Sequence, residues 1–116
     1  MSGRRPSAAA LKTSAAVFAA LGDGTRLSLV NRLTGGAPRS ITQLTAGTRL
    51  TRQAVTKHLR VLEGAGVVRS IRVGRESRFE LELKRLAEVR QYLDRVSQQW
   101  EDALGRLAAH LAGGGG

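Results

Sequence analysis

Arg52, Gln53, Thr56, Lys57 and Arg60 fall within nine consecutive positions at a spacing that matters. On a helical wheel starting at Arg52 they fall within roughly 0–140°. Ala54, Val55, His58, Leu59, Val61 and Leu62 fill the remaining arc. One face is apolar and is expected to pack, while the other is a strip of donors and acceptors. Arg and Lys side chains can pair with guanine edges, Gln with adenine, and Thr with a methyl group or a phosphate. The chemistry within reach is recognition of nucleic acid, with Arg49, Thr51 and Arg60 placed for phosphates and the rest for base edges.

The elements around this strip support that use. Ser40 is expected to cap a short helix over 41–46, Gly47 ends it, and Thr48–Thr51 make a turn. Thr51 then caps the helix carrying the strip, 52–63, which Gly64 and Gly66 stop. A short helix, a turn and a polar-faced helix is the arrangement that lays its second helix in the major groove. Beyond it, 67–73 is β-branched and basic, Gly74-Arg75 is a turn, and 77–83 alternates, with Phe79, Leu81 and Leu83 on one face. The hairpin is tipped with Arg72, Arg75 and Arg78, which should reach the adjacent minor groove or backbone.

Upstream, 7–21 reads as a helix with Leu11, Ala15, Val17, Phe18 and Leu21 as apolar positions. Asp23 caps a second helix, 24–34, with a stripe of Leu27, Val30 and Leu33. Downstream, 84–112 reads as one long helix in which Leu86, Val89, Leu93, Val96 and Trp100 repeat at 3-4-3-4, continuing through Leu104, Leu107 and Leu111. That seam is longer than one small domain needs, and a partner helix is the usual reason. The expected architecture is mainly α with a small β-hairpin. It is one folded unit over 7–112, flanked by a flexible basic tail (1–6) and a glycine tail (113–116).

Charge placement agrees. Of the net +10, residues 37–78 carry +7 and residues 79–116 carry −1. A basic surface kept only for solubility would be spread evenly, so a polyanion is the expected partner of the middle of the chain. The 116 residues include no cysteine, which excludes a disulfide framework, a thiolate metal site and a thiol switch. No stretch approaches the ~20 apolar residues of a membrane span. Lys12, Thr13 and Ser14 interrupt the alanine-rich start that could pass for a signal peptide, so a cytoplasmic protein is expected. No nucleophile–base pair or phosphate loop stands out, and no enzymatic activity is expected.

Two segments carry a family resemblance. Val17-Phe18-Ala19-Ala20-Leu21-Gly22-Asp23-Gly24-Thr25-Arg26-Leu27 resembles the "ALADPTRL" opening of the ArsR/SmtB family of bacterial repressors, with Gly24 in place of the usual proline. Leu50-Thr51-Arg52-Gln53-Ala54-Val55-Thr56-Lys57-His58-Leu59-Arg60-Val61-Leu62-Glu63-Gly64-Ala65-Gly66-Val67-Val68 resembles that family's recognition helix, "LSQPAVSKHLRVLREAGLV". The resemblance implies a winged helix-turn-helix that dimerises through its first and last helices and binds a pseudo-palindromic operator on double-stranded DNA. Leu11, Phe18, Leu93, Val96, Trp100, Leu104 and Leu107 are then the interface positions.

Many members of that family sense metals. The cysteines of the "ELCVCDL" motif fall here on Ser40 and Thr42, which are poor ligands for soft metals. On the last helix Asp94, Glu101, Asp102 and His110 are the candidate ligands for a divalent ion such as nickel or zinc. Their spacing departs from the family pattern, and they are expected to be solvated charges flanking the seam. Four further readings compete: a metal-responsive regulator with a non-cysteine site, a small-molecule sensor with an apolar pocket at the seam near Tyr92 and Trp100, a regulator whose sensing lies in a separate partner protein, and a non-specific nucleoid or RNA-binding protein. The last should show little preference for one palindrome over random duplex.

Overall fold

Four side-chain caps determine where the first four helices begin. The computed structural model describes residues 7–113, so the basic segment 1–6 and Gly114–Gly116 lie outside the described residues. Ser7 Oγ accepts from the Ala10 amide at 3.0 Å and opens α1, Ala8–Leu21. Asp23 does the same for Arg26 at 3.0 Å and opens α2, Gly24–Leu33. Ser40 opens α3, Ile41–Thr45, with a reciprocal box: its hydroxyl accepts from the Gln43 amide while the Gln43 side chain accepts from the Ser40 amide. Thr51 opens α4, Arg52–Gly64, by accepting from Ala54 at 3.1 Å. Each cap contributes about 1 kcal/mol by satisfying an amide that has no partner inside its helix.

The chain continues through β2, Val68–Val73, and β3, Glu76–Leu81, into α5, Leu83–Gly113. A two-residue strand before α3, β1 at Arg39–Ser40, pairs antiparallel with β3, so the sheet has three strands in the order β1-β3-β2. No sequence pattern marked β1, because two residues are too few to alternate. Within the hairpin Val68 faces Leu81 and Val73 faces Glu76 across the tight Gly74-Arg75 turn.

The core draws on every helix and the sheet. Val17 and Ala20 of α1, Leu29 and Leu33 of α2, Leu44 of α3, and Val55, Leu59 and Leu62 of α4 enclose Val67, Val68 and Phe79, and Val89 closes the α5 side. Several expectations are corrected. In α1 the buried stripe is Ser14, Val17 and Ala20 and Ala15 is exposed, while Leu11 and Phe18 face outward, which is compatible with the interface positions expected of them. In α2 Leu29 goes inside and Leu27 is exposed. On α4 Val61 is exposed, because the packed arc is centred on Val55, Leu59 and Leu62 and Val61 lies at its far edge. Leu83 does not extend the Phe79–Leu81 strand face. The strand ends at Leu81, the Glu82 amide donates to Val67 at 2.8 Å, and Leu83 starts α5 in solvent. At its other end α5 includes Gly113, which the sequence assigns to the tail.

α5 is 31 residues long, roughly 46 Å at 1.5 Å per residue. Its first half packs along α1, with the Phe18 and Tyr92 rings 6.2 Å apart. Its second half touches little else in the chain. Leu93, Trp100, Leu104, Leu107 and Leu111 are 47–69% exposed, and Val96 is half-buried.

Candidate nucleic-acid interface

α3, the six-residue connection 46–51 and α4 form the central feature. Gly47, at φ 78°, takes the left-handed conformation that turns the chain out of α3. The Thr48 amide and hydroxyl both bond to the Thr45 carbonyl, at 3.0 and 2.6 Å, and the Leu50 amide donates to the Thr48 hydroxyl. The angle between the two helices is therefore held by local bonds as well as by Leu44, Val55 and Leu59 between them.

On α4 the polar strip stands where the wheel places it. Arg52, Gln53, Lys57 and Arg60 are exposed, opposite the fully buried Val55, Leu59 and Leu62. Thr56 is half-buried, and its hydroxyl donates back to the Arg52 carbonyl at 2.7 Å. Thr51 is exposed, but its hydroxyl serves the helix cap, and Arg49 is exposed in the turn. Arg60 is exposed yet already engaged. Its guanidinium pairs with Glu63 at 2.7 Å and lies 5.7 Å from the centre of the Phe79 ring. Glu63 also accepts from the Ser70 hydroxyl at 3.0 Å, so one carboxylate ties α4 to β2. Those two bonds hold the Glu63 carboxyl below its ordinary range, the bond from Arg60 most strongly.

The hairpin divides the wing arginines. Arg72 and Arg75 are exposed near its tip and make no ion pair among the described residues. Arg78 sits in the central strand between Ser40 and Ile71, half-buried, with its guanidinium on Glu76 at 3.1 Å. Arg69 pairs with Glu80 across the strands at 2.7 Å, which raises its already high pKa.

Three residues that matter to the site have roles that neither periodicity nor a charge count reveals. Arg32 of α2 donates to the carbonyls of Leu44 and Gln43, the latter at 2.9 Å, and so clamps the end of α3. Arg26 and His58 join α2 to α4. Sequence counts the arginines as net charge, and only folding shows that they are consumed by internal acceptors.

A thiolate-type metal site does not fit these residues. The Ser40 hydroxyl is committed to the α3 cap, and Thr42 is exposed beside it. Asp94, Glu101, Asp102 and His110 are all exposed on α5, where Asp102 accepts from Gln98 at 3.2 Å. No three acidic or imidazole side chains converge among the described residues.

A short helix, a turn, a second helix with an exposed basic strip, and a hairpin beside it define a winged helix-turn-helix domain. The helix-turn-helix domain family matches residues 12–71. The chain is 38% identical over 85 residues to the HTH-type transcriptional regulator Rv2034 of Mycobacterium tuberculosis, spanning 73% of this chain and 76% of that protein. It superposes on the ArsR-like transcriptional regulator from Rhodococcus sp. RHA1 with a TM-score of 0.76 and 32% identity, covering 90% of this chain and 96% of the other. The homodimeric winged helix-turn-helix DNA-binding domain Mb0332 from Mycobacterium bovis shares the fold, with a TM-score of 0.63 at 24% identity over 85% of this chain and 92% of the other. The chain belongs to the ArsR family of winged helix-turn-helix transcriptional regulators.

Proposed function

We propose that this regulator works as a homodimeric repressor on a pseudo-palindromic operator, acting in the cytoplasm. α4 lies in the major groove of each half-site, where Arg52, Gln53, Thr56 and Lys57 read base edges. Arg49, Thr51 and Arg60 contact phosphates, and the wing places Arg72, Arg75 and Arg78 on the neighbouring backbone or minor groove. The single observation that carries this reading is the two-sided character of α4, with three side chains fully buried and a basic, amide-bearing strip exposed opposite.

Dimerisation follows from the exposed seam of α5. A helix exposing Leu93, Trp100, Leu104, Leu107 and Leu111 along one seam gains roughly 25 cal/mol for each Å² of apolar surface it covers. Leu11 and Phe18 of α1 stand on the outward stripe beside it. A homodimer has been described for the Mycobacterium bovis domain of the same fold. Twofold symmetry then spaces the half-sites about one helical turn of DNA apart.

Footprinting on the DNA upstream of the chain's own gene, with and without Ni²⁺, Zn²⁺ or chelator, tests the proposal. A protected palindrome that competes far better than random duplex is the expected result. Equal protection of all duplexes would make the protein a non-specific nucleoid or RNA-binding factor. The donor set on α5 argues for a footprint unchanged by metal, and release at micromolar metal would overturn that part. Nothing at the described surface requires a separate sensor protein.

A further inference from the structure

Three helices meet at Arg26. Its amide is capped by Asp23 at the start of α2. Its side chain runs back over the end of α1, where Nε donates to the Ala20 carbonyl and one terminal nitrogen lies 3.5 Å from that of Ala19. Carbonyls at a helix C-terminus lack partners in their own helix and attract a cation. The other terminal nitrogen lies 3.5 Å from Nδ1 of His58 on α4. The guanidinium is thus anchored on the backbone of α1 and reaches α4 through one imidazole.

Read as a hydrogen bond, that contact has a proton requirement. Arginine has five N–H donors, no acceptor, and does not deprotonate in proteins. Nδ1 of His58 must therefore offer a lone pair, which means a neutral ring with its proton on Nε2. A protonated ring carries N–H on both nitrogens and places a second cation against Arg26. The charged groups around the ring are few. From α2 and its cap come Arg26 and Asp23, whose carboxyl is held below its ordinary range chiefly by the bond from the Arg26 amide. The adjoining end of α1, from Ser14 to Gly22, has no titratable side chain. On α4 itself Lys57 projects about 100° away, toward the polar strip. His58 is on the side of α4 turned from that strip, so displacing it shifts the strip as a unit.

We propose that Arg26 and His58 are positioning residues that set the angle of the recognition helix against α1, and that the joint closes only while His58 is neutral. This rests on the reading of α4 as the helix that enters DNA.

The test uses the full chain and a palindromic duplex that the wild-type chain itself selects from a randomised pool. Affinity for it is divided by affinity for a random duplex of the same length, at about pH 7.5 and about pH 5.5. The ratio removes the general rise in positive charge on acidification. In the wild type the ratio should fall about tenfold at the lower pH, the scale of one lost charged hydrogen bond. His58→Gln, whose amide oxygen accepts from Arg26 without ever carrying charge, should show no such fall. Arg26→Lys, whose single nitrogen cannot span α1 and α4 together, should have a reduced ratio already at the higher pH. The same fall in His58→Gln as in the wild type, or an unchanged ratio in Arg26→Lys, would overturn the joint. A wild-type chain that selects no duplex at all would overturn the DNA reading with it.

Discussion

The carboxylate of Glu63 holds the guanidinium of Arg60 at 2.7 Å, three residues earlier on the same helix, and its second oxygen takes the Ser70 hydroxyl of the wing. The recognition helix and the wing are therefore fastened to each other by a polar contact, and the Arg60 guanidinium lies over the Phe79 ring, 5.7 Å from its centre.

Glu63 provides a pH-dependent part of stability. Its carboxyl is depressed below the ordinary value of 4.5, chiefly by Arg60. A group lowered in the folded state contributes stability above its unfolded pKa and loses it as pH falls through the folded one. Because the pair is partly exposed, Glu63→Gln should cost under about 1 kcal/mol at neutral pH, and the difference from wild type should vanish in acid. Urea denaturation of both proteins at neutral and strongly acidic pH measures it. A difference that persists undiminished in acid would mean the carboxylate charge is not its source.

Gln53 and Arg75 should separate specificity from affinity. Gln53→Ala is expected to relax sequence preference, with a loss of about 1–3 kcal/mol of discrimination at one base pair. Arg75→Ala should weaken binding to specific and random duplex alike and lower the salt dependence by about one ion. Titrations of both DNAs at several salt concentrations decide this. Equal losses on both DNAs for Gln53→Ala would remove it from base recognition.

Gly66 and Gly64 should respond oppositely to alanine. Gly66 has φ 77°, and a Cβ there would stand 2.9 Å from the Arg85 guanidinium carbon. Gly66→Ala should cost about 1–2 kcal/mol, mainly for the left-handed backbone, since Arg85 can swing aside. Gly64 ends α4, and a Cβ added there would meet nothing within 4 Å, so Gly64→Ala should stabilise by up to about 1 kcal/mol. Thermal melting of the two variants should show shifts of opposite sign.

The exposed seam of α5 predicts the oligomeric state. Leu104→Glu and Leu107→Glu each place a charge on that seam and should shift sedimentation from dimer toward monomer, with the helical content of the domain retained. Operator affinity should fall with the dimer, since one half-site then acts alone. A variant that sediments as a dimer with unchanged affinity would place the interface elsewhere.

Much of the site was legible because helices are local. Thr51, the strip on Arg52–Arg60 and the glycine stop at Gly66 all lie within sixteen residues, and their roles depend on a 3.6-residue period and on caps that neighbours satisfy. The same holds for Asp23 and Ser40. The wing was readable as a hairpin, but its end was not. Leu83 fits the alternation as well as Leu81 does, and only the bond from Glu82 to Val67 shows that the strand has already stopped.

Sequence by itself determined the class of this protein: the order of its helices, the polar face of α4 and the unpartnered seam of α5, each written in short-range spacing. Tertiary structure decided which face of α1 and α2 goes inward, the pairing of β1 with β3, and the fate of the charges. Arg26, Arg32, Arg60, Arg69 and Arg78 look alike in a charge count, yet each is committed to an acceptor brought from elsewhere in the fold or from its own turn. Arg52, Lys57, Arg72 and Arg75 keep their donors outward. An arginine's partner depends on which carbonyls and carboxylates folding brings within hydrogen-bond reach, and no period in the chain encodes that.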